Sequence, residues 1–171
     1  MMTAYRQQMI ALAVALALAS ILGWRWFQPS ASYDARQLSG DLIALPDRSR
    51  IQIELSGHTL TVEVVNRPGS IRQGLSGRHE IGSDGMLFIM PAKTHHSFWM
   101  PDMNFDIDIL WFDEDTLTET TSNVPAPPPG TPNSELPLYP SKQPANIILE
   151  LPAGQAAVMG IKAGDSFKVI K

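Results

Sequence analysis

The sequence contains no cysteine among its 171 residues. This absence excludes disulfide bonds, thiolate metal sites, a cysteine nucleophile and a lipid-anchored cysteine. The sequence also lacks a glycine-rich phosphate-binding loop, a serine in a nucleophile elbow and a His-x-x-x-His pair. Most familiar enzyme classes are thereby excluded, which favours a protein that is not an enzyme.

An excess of basic residues is also missing. The chain has 13 Lys and Arg residues against 17 Asp and Glu residues, which gives a net charge of −4. A sequence-independent nucleic-acid binder needs a basic surface, so DNA and RNA are not expected as partners. The adjacent histidines His95 and His96 would point to opposite sides of a strand, so they could not both serve one site. We expect neither a metal nor another cofactor.

One long segment near the N-terminus is apolar. The 18 residues from 7 to 24 carry no charge and lie between Arg6 and Arg25. A helix of that length spans about 27 Å, which is just enough for the hydrocarbon core of a membrane. Aromatic residues at its end suit the membrane interface, namely Trp24, Trp26 and Phe27. The segment predicts an N-terminal hydrophobic helix that anchors the chain, with the N-terminus inside and the remainder outside the cytoplasm.

Small residues at two places leave a second interpretation of this segment open. Residues 17–19 and 30–32 have the small-x-small spacing that a signal peptidase needs, so a cleaved signal peptide is the alternative to an anchor. In both interpretations the remainder is exported. We therefore divide the chain into a signal peptide or membrane anchor at 1–27, a polar linker at 28–49 and a β domain at 50–171.

Beyond residue 50, apolar residues alternate with polar ones or form short runs, as is typical of strands. The segments that predict strands are 51–55, 60–64, 86–90, 97–100, 105–112, 118–123, 147–151 and 166–170. Short helices are predicted at 71–75, with Ser70 as the cap, and at 153–159. This order predicts a mostly β (α+β) domain, a small, partly closed β barrel or sandwich with one or two short helices.

Eight prolines lie between Pro125 and Pro144. Proline fixes its backbone torsion and lacks an N–H donor, so this stretch cannot join a central strand. We expect it to wrap the surface as a long loop and to form one wall of a binding cleft. Residues 94–141 also contain eight acidic residues and no Lys or Arg, so a negative surface is expected on this side.

Several short motifs follow one another in an order that is specific in combination. They are Gly74-Leu75 with Arg78, Asp84-Gly85-Met86-Leu87-Phe88, Phe98-Trp99-Met100, Asp108-Ile109, Tyr139, Leu149-Glu150-Leu151 with Ala153-Gly154, Gly160-Ile161 and Gly164-Asp165. By this set the sequence resembles DUF192, a family of domains of unknown function, over roughly residues 58–171. The resemblance implies a domain that is often exported and has no settled activity. The sequence departs from the common pattern at Pro101-Asp102-Met103 and at Asp106, so a basic group beside Met100 is not implied.

The strand predicted at 105–112 carries two carboxylates on one face, Asp106 and Asp108. Burying a carboxylate costs several kcal/mol unless it is paired or hydrogen-bonded, and Arg78 is the partner expected for Asp108. The two residues could form a binding or catalytic site. An ion pair that orders loops is nevertheless the favoured interpretation.

Two tryptophans are candidates for a platform under a sugar ring. Trp99 lies in a continuous apolar run between Phe98 and Met100, so packing in the core is favoured for it. Trp111 lies near a strand end beside Asp113, so its edge is expected to reach the surface.

The leading hypothesis is a non-catalytic binding or accessory module at the cell envelope, which holds a small ligand or an envelope protein in a cleft. The residues expected to border the cleft are Arg78, Trp99, Asp108 and Tyr139. The alternative is a hydrolase or lyase acting on envelope glycans, with Asp108 paired with Glu150 or Asp106 as general acid and base. A third hypothesis is a domain that docks on a membrane complex through its acidic face.

Overall fold

A computed structural model of the chain describes residues 41–170. The strands are β1 (Arg50–Leu55), β2 (His58–Val65), β3 (Gly85–Thr94), β4 (Ser97–Phe98), β5 (Ile107–Asp113), β6 (Thr116–Val124), β7 (Tyr139–Pro140), β8 (Ala145–Pro152) and β9 (Phe167–Ile170), and the helices are α1 (Pro68–Gln73), α2 (Gln155–Val158) and a 3-10 turn (Asn133–Glu135). The apolar segment at 7–24 and both small-residue sites lie outside the described residues. Among residues 41–170, no helix has the length and hydropathy that a membrane span requires.

Seven strands form one curled sheet in the order β6-β5-β8-β3-β2-β1-β9, and β4 pairs with β7 in a separate small sheet. Neighbours in the large sheet run antiparallel, except that β2 and β3 run parallel. The curl brings the two end strands together, because Thr116 bridges to Ser166 and the rings of Phe112 and Phe167 meet edge to face at 5.3 Å. The predicted mostly β, partly closed barrel with two short helices is confirmed.

The sheet buries apolar side chains on both of its faces, because residues alternate between faces along each strand. The first core lies inside the curl and includes Ile53, Val62, Leu87, Leu110, Leu149 and Phe167. The second core lies between the outer face of the sheet and a cover formed by α1, the loop after it and β4, and it includes Val65, Leu75, Met86, Phe88, Ile109, Trp111 and Ile148. β8, like β3 and β5 on either side of it, contributes to both cores.

The first helix begins earlier than the sequence indicated. Pro68 is its first residue and Arg67 its N-cap, so Ser70 lies inside the first turn and is not the cap. Proline is favoured at the first helical position, because the N–H that it lacks has no partner there in any helix. The hydroxyl of Ser70 instead donates to the carboxylate of Asp47 over 2.6 Å. The predicted cap was therefore wrong by three positions, although a helix is present.

Residues 41–49, which we expected to be linker, pack on the domain. Leu42 is 2% exposed and belongs to the first core. The side-chain amide of Asn66 donates to backbone carbonyls of this segment, including that of Leu45 at 2.9 Å. The polar composition of this stretch did not indicate that Leu42 would be buried. Because residues 41–49 pack on the sheet, the folded domain begins before residue 50.

Trp111 is fully buried, contrary to the expectation that its edge reaches the surface. Its indole N–H donates to the hydroxyl of Thr121 over 3.0 Å, and its ring meets Phe98 edge to face at 5.3 Å. Side chains of two other strands, β4 and β6, therefore contact the ring.

Gly85 allows the backbones of β3 and β8 to approach closely. A Cβ at this position would lie 2.8 Å from the carbonyl oxygen of Glu150 and 2.9 Å from a methyl group of Leu151. Real Cβ atoms essentially never come this close to a backbone oxygen, so a side chain here would push the two strands apart.

Replacing Gly85 with Ala is expected to lower the free energy of unfolding by about 1–3 kcal/mol, because the added methyl group overpacks the centre of the sheet. Urea unfolding monitored by circular dichroism measures this difference. Gly69→Ala is the matched control, since nothing lies within 4 Å of a Cβ at Gly69. Equal stability of the two variants would show that the strands can separate without cost.

Candidate functional site

A pocket with a cavity volume of about 210 Å³ opens between the sheet and the cover of the second core. Helix α1 and the loop after it form one wall, β3 and β8 form the floor, and β4 with residues 99–103 forms the other wall. Its apolar lining consists of Ile71, Leu75, Phe88, Met90, Phe98, Trp99, Met100, Pro101 and Met103, and its polar lining includes Arg72, Gln73, Ser76, His96, Ser97 and Glu150.

Glu150 stands at the floor of this pocket, in the middle of β8. Its neighbours Leu149 and Leu151 face the first core, so strand alternation turns the carboxyl group of Glu150 toward the second core. The residue is 6% exposed, and within residues 41–170 it has no hydrogen bond and no ion-pair partner. Burial alone raises the pKa of Glu150 to about 8 from its ordinary value of 4.5. At neutral pH the group is therefore mainly a neutral carboxylic acid.

A second buried carboxylate, Glu63, lies on the same face of the sheet. In the strand register Glu63 is opposite Met86, and Met86 is opposite Glu150, so one strand separates the two acids. Arg78 holds both oxygens of Glu63 through two hydrogen bonds of 2.8 Å, and Arg48 adds a third of 2.8 Å. The bonds from Arg78 hold the pKa of Glu63 below its ordinary value, against the opposing effect of burial. Glu63 is therefore a satisfied structural carboxylate, whereas Glu150 is not.

The predicted pair of Asp108 with Arg78 is not formed. Asp108 lies opposite Leu151, so its side chain faces away from the pocket. Its oxygens accept hydrogen bonds from the backbone N–H groups of Asn123 at 2.8 Å and Ala156 at 3.1 Å. These bonds tie β5 to the end of β6 and to α2. Asp108 did need a dedicated partner, as the sequence indicated, but backbone amides supply it.

The carboxylate pair of the glycan hydrolase hypothesis is likewise absent from the described residues. In the register of β5 with β8, Glu150 lies opposite Ile109, the neighbour of Asp108. Residues opposite one another on paired strands share a face of the sheet, and successive residues alternate between faces, so Asp108 and Glu150 face opposite sides. Asp106 is exposed, and its carboxylate accepts a hydrogen bond of 2.7 Å from the backbone of Ala126. Neither aspartate is arranged as an acid or base partner for Glu150.

Of the residues expected to border a cleft, only Trp99 lines this pocket. It is 43% exposed at the mouth, so the core position favoured for it was wrong. Tyr139 pairs with Phe98 in the small sheet and packs on the second core from behind β4, where burial raises its pKa. Arg78 is held by Glu63. The proline-rich stretch does not line this pocket and instead borders a separate depression beside Asn104. A binding role for Arg78, Asp108 and Tyr139 stays a prediction.

Sequence reasoning missed the aromatic and thioether walls and the partner of Arg78. Phe88 and Phe98 meet edge to face at 5.1 Å, which a sequence separation of ten residues does not reveal. Glu63 did leave a signal, because it shares a face with Val65 in a strand whose other face is aliphatic. Glu150 left the clearest signal, a single acid within the apolar run of β8.

The model of the DUF192 family, which is described as an uncharacterized ACR, matches residues 51–169. The chain belongs to the DUF192 family. The match includes the pocket floor and walls, and the resemblance read from the motifs is thereby confirmed.

Two solved structures resemble this DUF192 domain. A proposed transcription regulator from Sinorhizobium meliloti 1021 is 28% identical with a TM-score of 0.62, and the alignment covers 74% of this chain and 98% of that one. A protein of unknown function from Novosphingobium aromaticivorans DSM 12444 is 25% identical with a TM-score of 0.61, covering 70% and 84%. No curated protein matches the chain. The relatives therefore support the fold and leave the function open.

Replacing Glu150 with Gln is expected to stabilise the DUF192 domain at pH 8 and to change its stability little at pH 4. The folded carboxyl loses its proton near pH 8 and the unfolded one near pH 4.5, so between these values the native state holds the extra proton. Stability contributed by this group is thus fully present below pH 4.5 and falls by about 1.4 kcal/mol per pH unit as the pH rises toward 8. Urea unfolding of both proteins across this range measures the difference.

Two control variants make this experiment specific. Glu63→Gln is expected to act in the opposite direction, destabilising the domain at neutral pH by removing the charge that binds two arginines, with the loss shrinking in acid. Glu54→Gln, at an exposed position of β1, should change neither the stability nor its pH dependence. Parallel stability profiles for the original protein and Glu150→Gln would contradict a buried, unpaired Glu150.

Proposed function

We propose that this DUF192 domain is a non-catalytic module that binds a small molecule in the pocket above Glu150. One observation carries the proposal, namely that a buried carboxyl group faces a cavity without any partner in the described part of the chain. Among the described residues, the fully enclosed side-chain oxygens without a partner are Ser49 Oγ and Asn66 Oδ1, so the oxygens of Glu150 reach the space of the pocket. Burial leaves this carboxyl group poorly solvated, and a ligand that bonds to it recovers part of that cost. Nine apolar side chains line the pocket together with six polar ones, and a small-molecule site combines apolar walls with polar groups that orient the ligand.

The size of the cavity limits the ligand. An apolar cavity of roughly 150 Å³ holds a benzene molecule. The present volume of about 210 Å³ therefore suits a single ring with a short chain, or an aliphatic body of similar size. A polysaccharide could place only one terminal group inside. We therefore propose a small ligand and not an extended glycan.

The properties of the solved relatives do not change this proposal. One relative is described as a proposed transcription regulator. We do not extend DNA binding to this chain, because its net charge of −4 provides no excess of basic residues for phosphate contacts. The docking hypothesis is less supported than ligand binding, because a partner protein would leave the carboxyl group of Glu150 at the bottom of the pocket unsatisfied.

Replacing Trp99 with Ala is expected to weaken binding of small aromatic ligands about ten-fold, because the ring supplies the exposed wall at the mouth of the pocket. The measurement is a thermal-shift screen of the purified full-length chain with single-ring compounds, followed by calorimetry on those that bind. Trp99 is partly exposed, so its removal should leave the fold intact.

Two further variants separate binding from stability. Leu138→Ala removes another exposed apolar side chain, one that does not line the pocket, and should leave binding unchanged. Asp108→Asn should lower the stability, because it weakens the bonds to two backbone amides, but should leave the affinity unchanged. A ligand whose affinity depends on Asp108 and not on Trp99 would place the site elsewhere.

We propose further that the domain works outside the cytoplasm, held at the membrane by residues 7–24 or released after signal cleavage. The uncharged length of that segment and the basic residues beside it support this location. The lack of cysteine is compatible with an oxidising compartment. Envelope components are the molecules that such a domain would meet first.

Fusing alkaline phosphatase after Lys171 tests this location, because that enzyme becomes active only where its disulfides form. Activity is expected in intact bacterial cells, and deletion of residues 2–27 should abolish it. Fractionation then distinguishes a membrane-anchored fusion from a cleaved, soluble one. An inactive fusion that accumulates in the cytoplasm with its N-terminus intact would contradict export.

A further inference from the structure

We propose that the ligand of this pocket is a small organic cation, a primary ammonium group on a single-ring or short aliphatic body, and that the ammonium binds Glu150. The inference deepens the proposed function and rests on it. The apolar body would lie between Phe98 and Trp99, and the charged end would reach the floor of the pocket.

The first argument is the distribution of charge around the pocket. Of the described residues that line it, Glu150 is the only acidic one. The cations on the same face are already engaged, since Arg78 and Arg48 both bind Glu63. Met86 fills the position between Glu63 and Glu150, so these arginines are kept one strand away. The arginines bound to Glu63 thus do not neutralise Glu150, and the arginine that does line the pocket is Arg72 at its rim.

The second argument is the chemistry of the walls. Phe88 and Phe98 are arranged edge to face, and Trp99 is exposed at the mouth. Aromatic side chains offer a large apolar contact area, which suits the apolar body of such a ligand. Thioether groups line the remainder of the pocket, at Met90, Met100 and Met103. Thioethers are polarisable and adapt to apolar ligands of different shape.

The third argument is hydrogen-bond capacity. An ammonium group has three donors and no acceptor, so it can satisfy both oxygens of an ionised carboxylate. A carboxylate ligand could only accept the single O–H of a protonated Glu150, and a hydroxyl ligand could donate only one hydrogen bond in return, so each satisfies fewer lone pairs of the carboxyl group than an ammonium does. Charge-assisted hydrogen bonds are also about twice as strong as neutral ones, above all where water is excluded.

Basic groups at the rim bear on this choice. Arg72 is exposed in the last turn of α1, where solvent screens its charge. The Nε2 atom of His96 lies 3.2 Å from the backbone carbonyl of Ala92, a contact that occupies one of its ring nitrogens. Neither residue has an interaction with Glu150 in the structure. Arg72 and His96 therefore repel an entering cation only weakly. The charge of the ligand group that binds at the floor of the pocket is set by Glu150.

Binding of an ammonium ion would displace the proton of Glu150. The neutral acid and the ammonium ion give a carboxylate–ammonium pair and one free proton, so charge and atoms balance. Because the pKa of Glu150 in the free protein is about 8, about one proton is released per ligand at pH 7. Affinity should therefore rise with pH up to about 8 and stay level until the amine itself is deprotonated. The charged groups nearest to this equilibrium are Arg72, His96, Glu63, Arg48 and Arg78.

Calorimetry of the full-length chain with 2-phenylethylamine and 2-phenylethanol tests the inference, because the two probes share size and shape and differ in charge. The amine is expected to bind at least about ten-fold more tightly at pH 7. Its apparent enthalpy should change between phosphate and HEPES buffers by the amount that corresponds to nearly one released proton, while the alcohol should show no such dependence. Glu150→Gln should abolish the proton release and bring the two affinities within about three-fold.

The outcomes distinguish this inference from the proposed function. Equal affinity for the two probes without proton release would overturn the cation, while binding of either probe that is lost in Trp99→Ala would still support the pocket. Binding of the amine that is unchanged in Glu150→Gln would also overturn the inference. If neither probe nor any other single-ring compound binds, the proposed function fails together with it.

Discussion

The register between β3 and β8 is the constraint on which the pocket depends. Met86 lies opposite Glu150, and the absence of a side chain at Gly85 lets the two backbones meet closely. A slip of one residue would move every side chain of β8 to the other face, which would turn Glu150 into the core inside the curl and the leucines beside it toward the second core. The same contact that holds the centre of the sheet together therefore also presents one acid to the pocket.

Two buried glutamates on one face of the sheet differ in whether the domain supplies a partner for the carboxyl group. Glu63 is held by two arginines, so the cost of its burial is offset within the domain. Glu150 has no such partner among the described residues, and the domain loses stability at neutral pH by keeping it. A hydrophobic residue would pack better at this position. Such a cost agrees with the binding role proposed for this pocket, because binding sites keep polar groups that bond to a ligand.

Much of the fold could be predicted from the sequence, because alternation along strands and the positions of turn residues are local signals. The strands at the centre, the edge strand β6 and both short helices were all expected. What the sequence could not supply is which side chains meet across the sheet. Arg78 was assigned to Asp108, but the strand register gives it to Glu63. Trp99 was expected in the core and the edge of Trp111 at the surface, but Trp99 is exposed and Trp111 is buried. The exposure of both rings depends on a cover formed by segments that are distant in sequence.

The two faces of the sheet have different capacities for a ligand. Inside the curl, the rings of Phe112 and Phe167 pack against each other. The carboxylate of Asp108 already accepts hydrogen bonds from two backbone amides. On the outer face, the cover is built from a helix of six residues, a loop and a strand of two residues, which cannot seal the sheet as a second sheet would. Among the described residues, Glu150 is the acid that lines this opening. Relatives that retain the acid and the aromatic wall should retain the site even where the remaining surface differs, because those groups and the strand register suffice to form it.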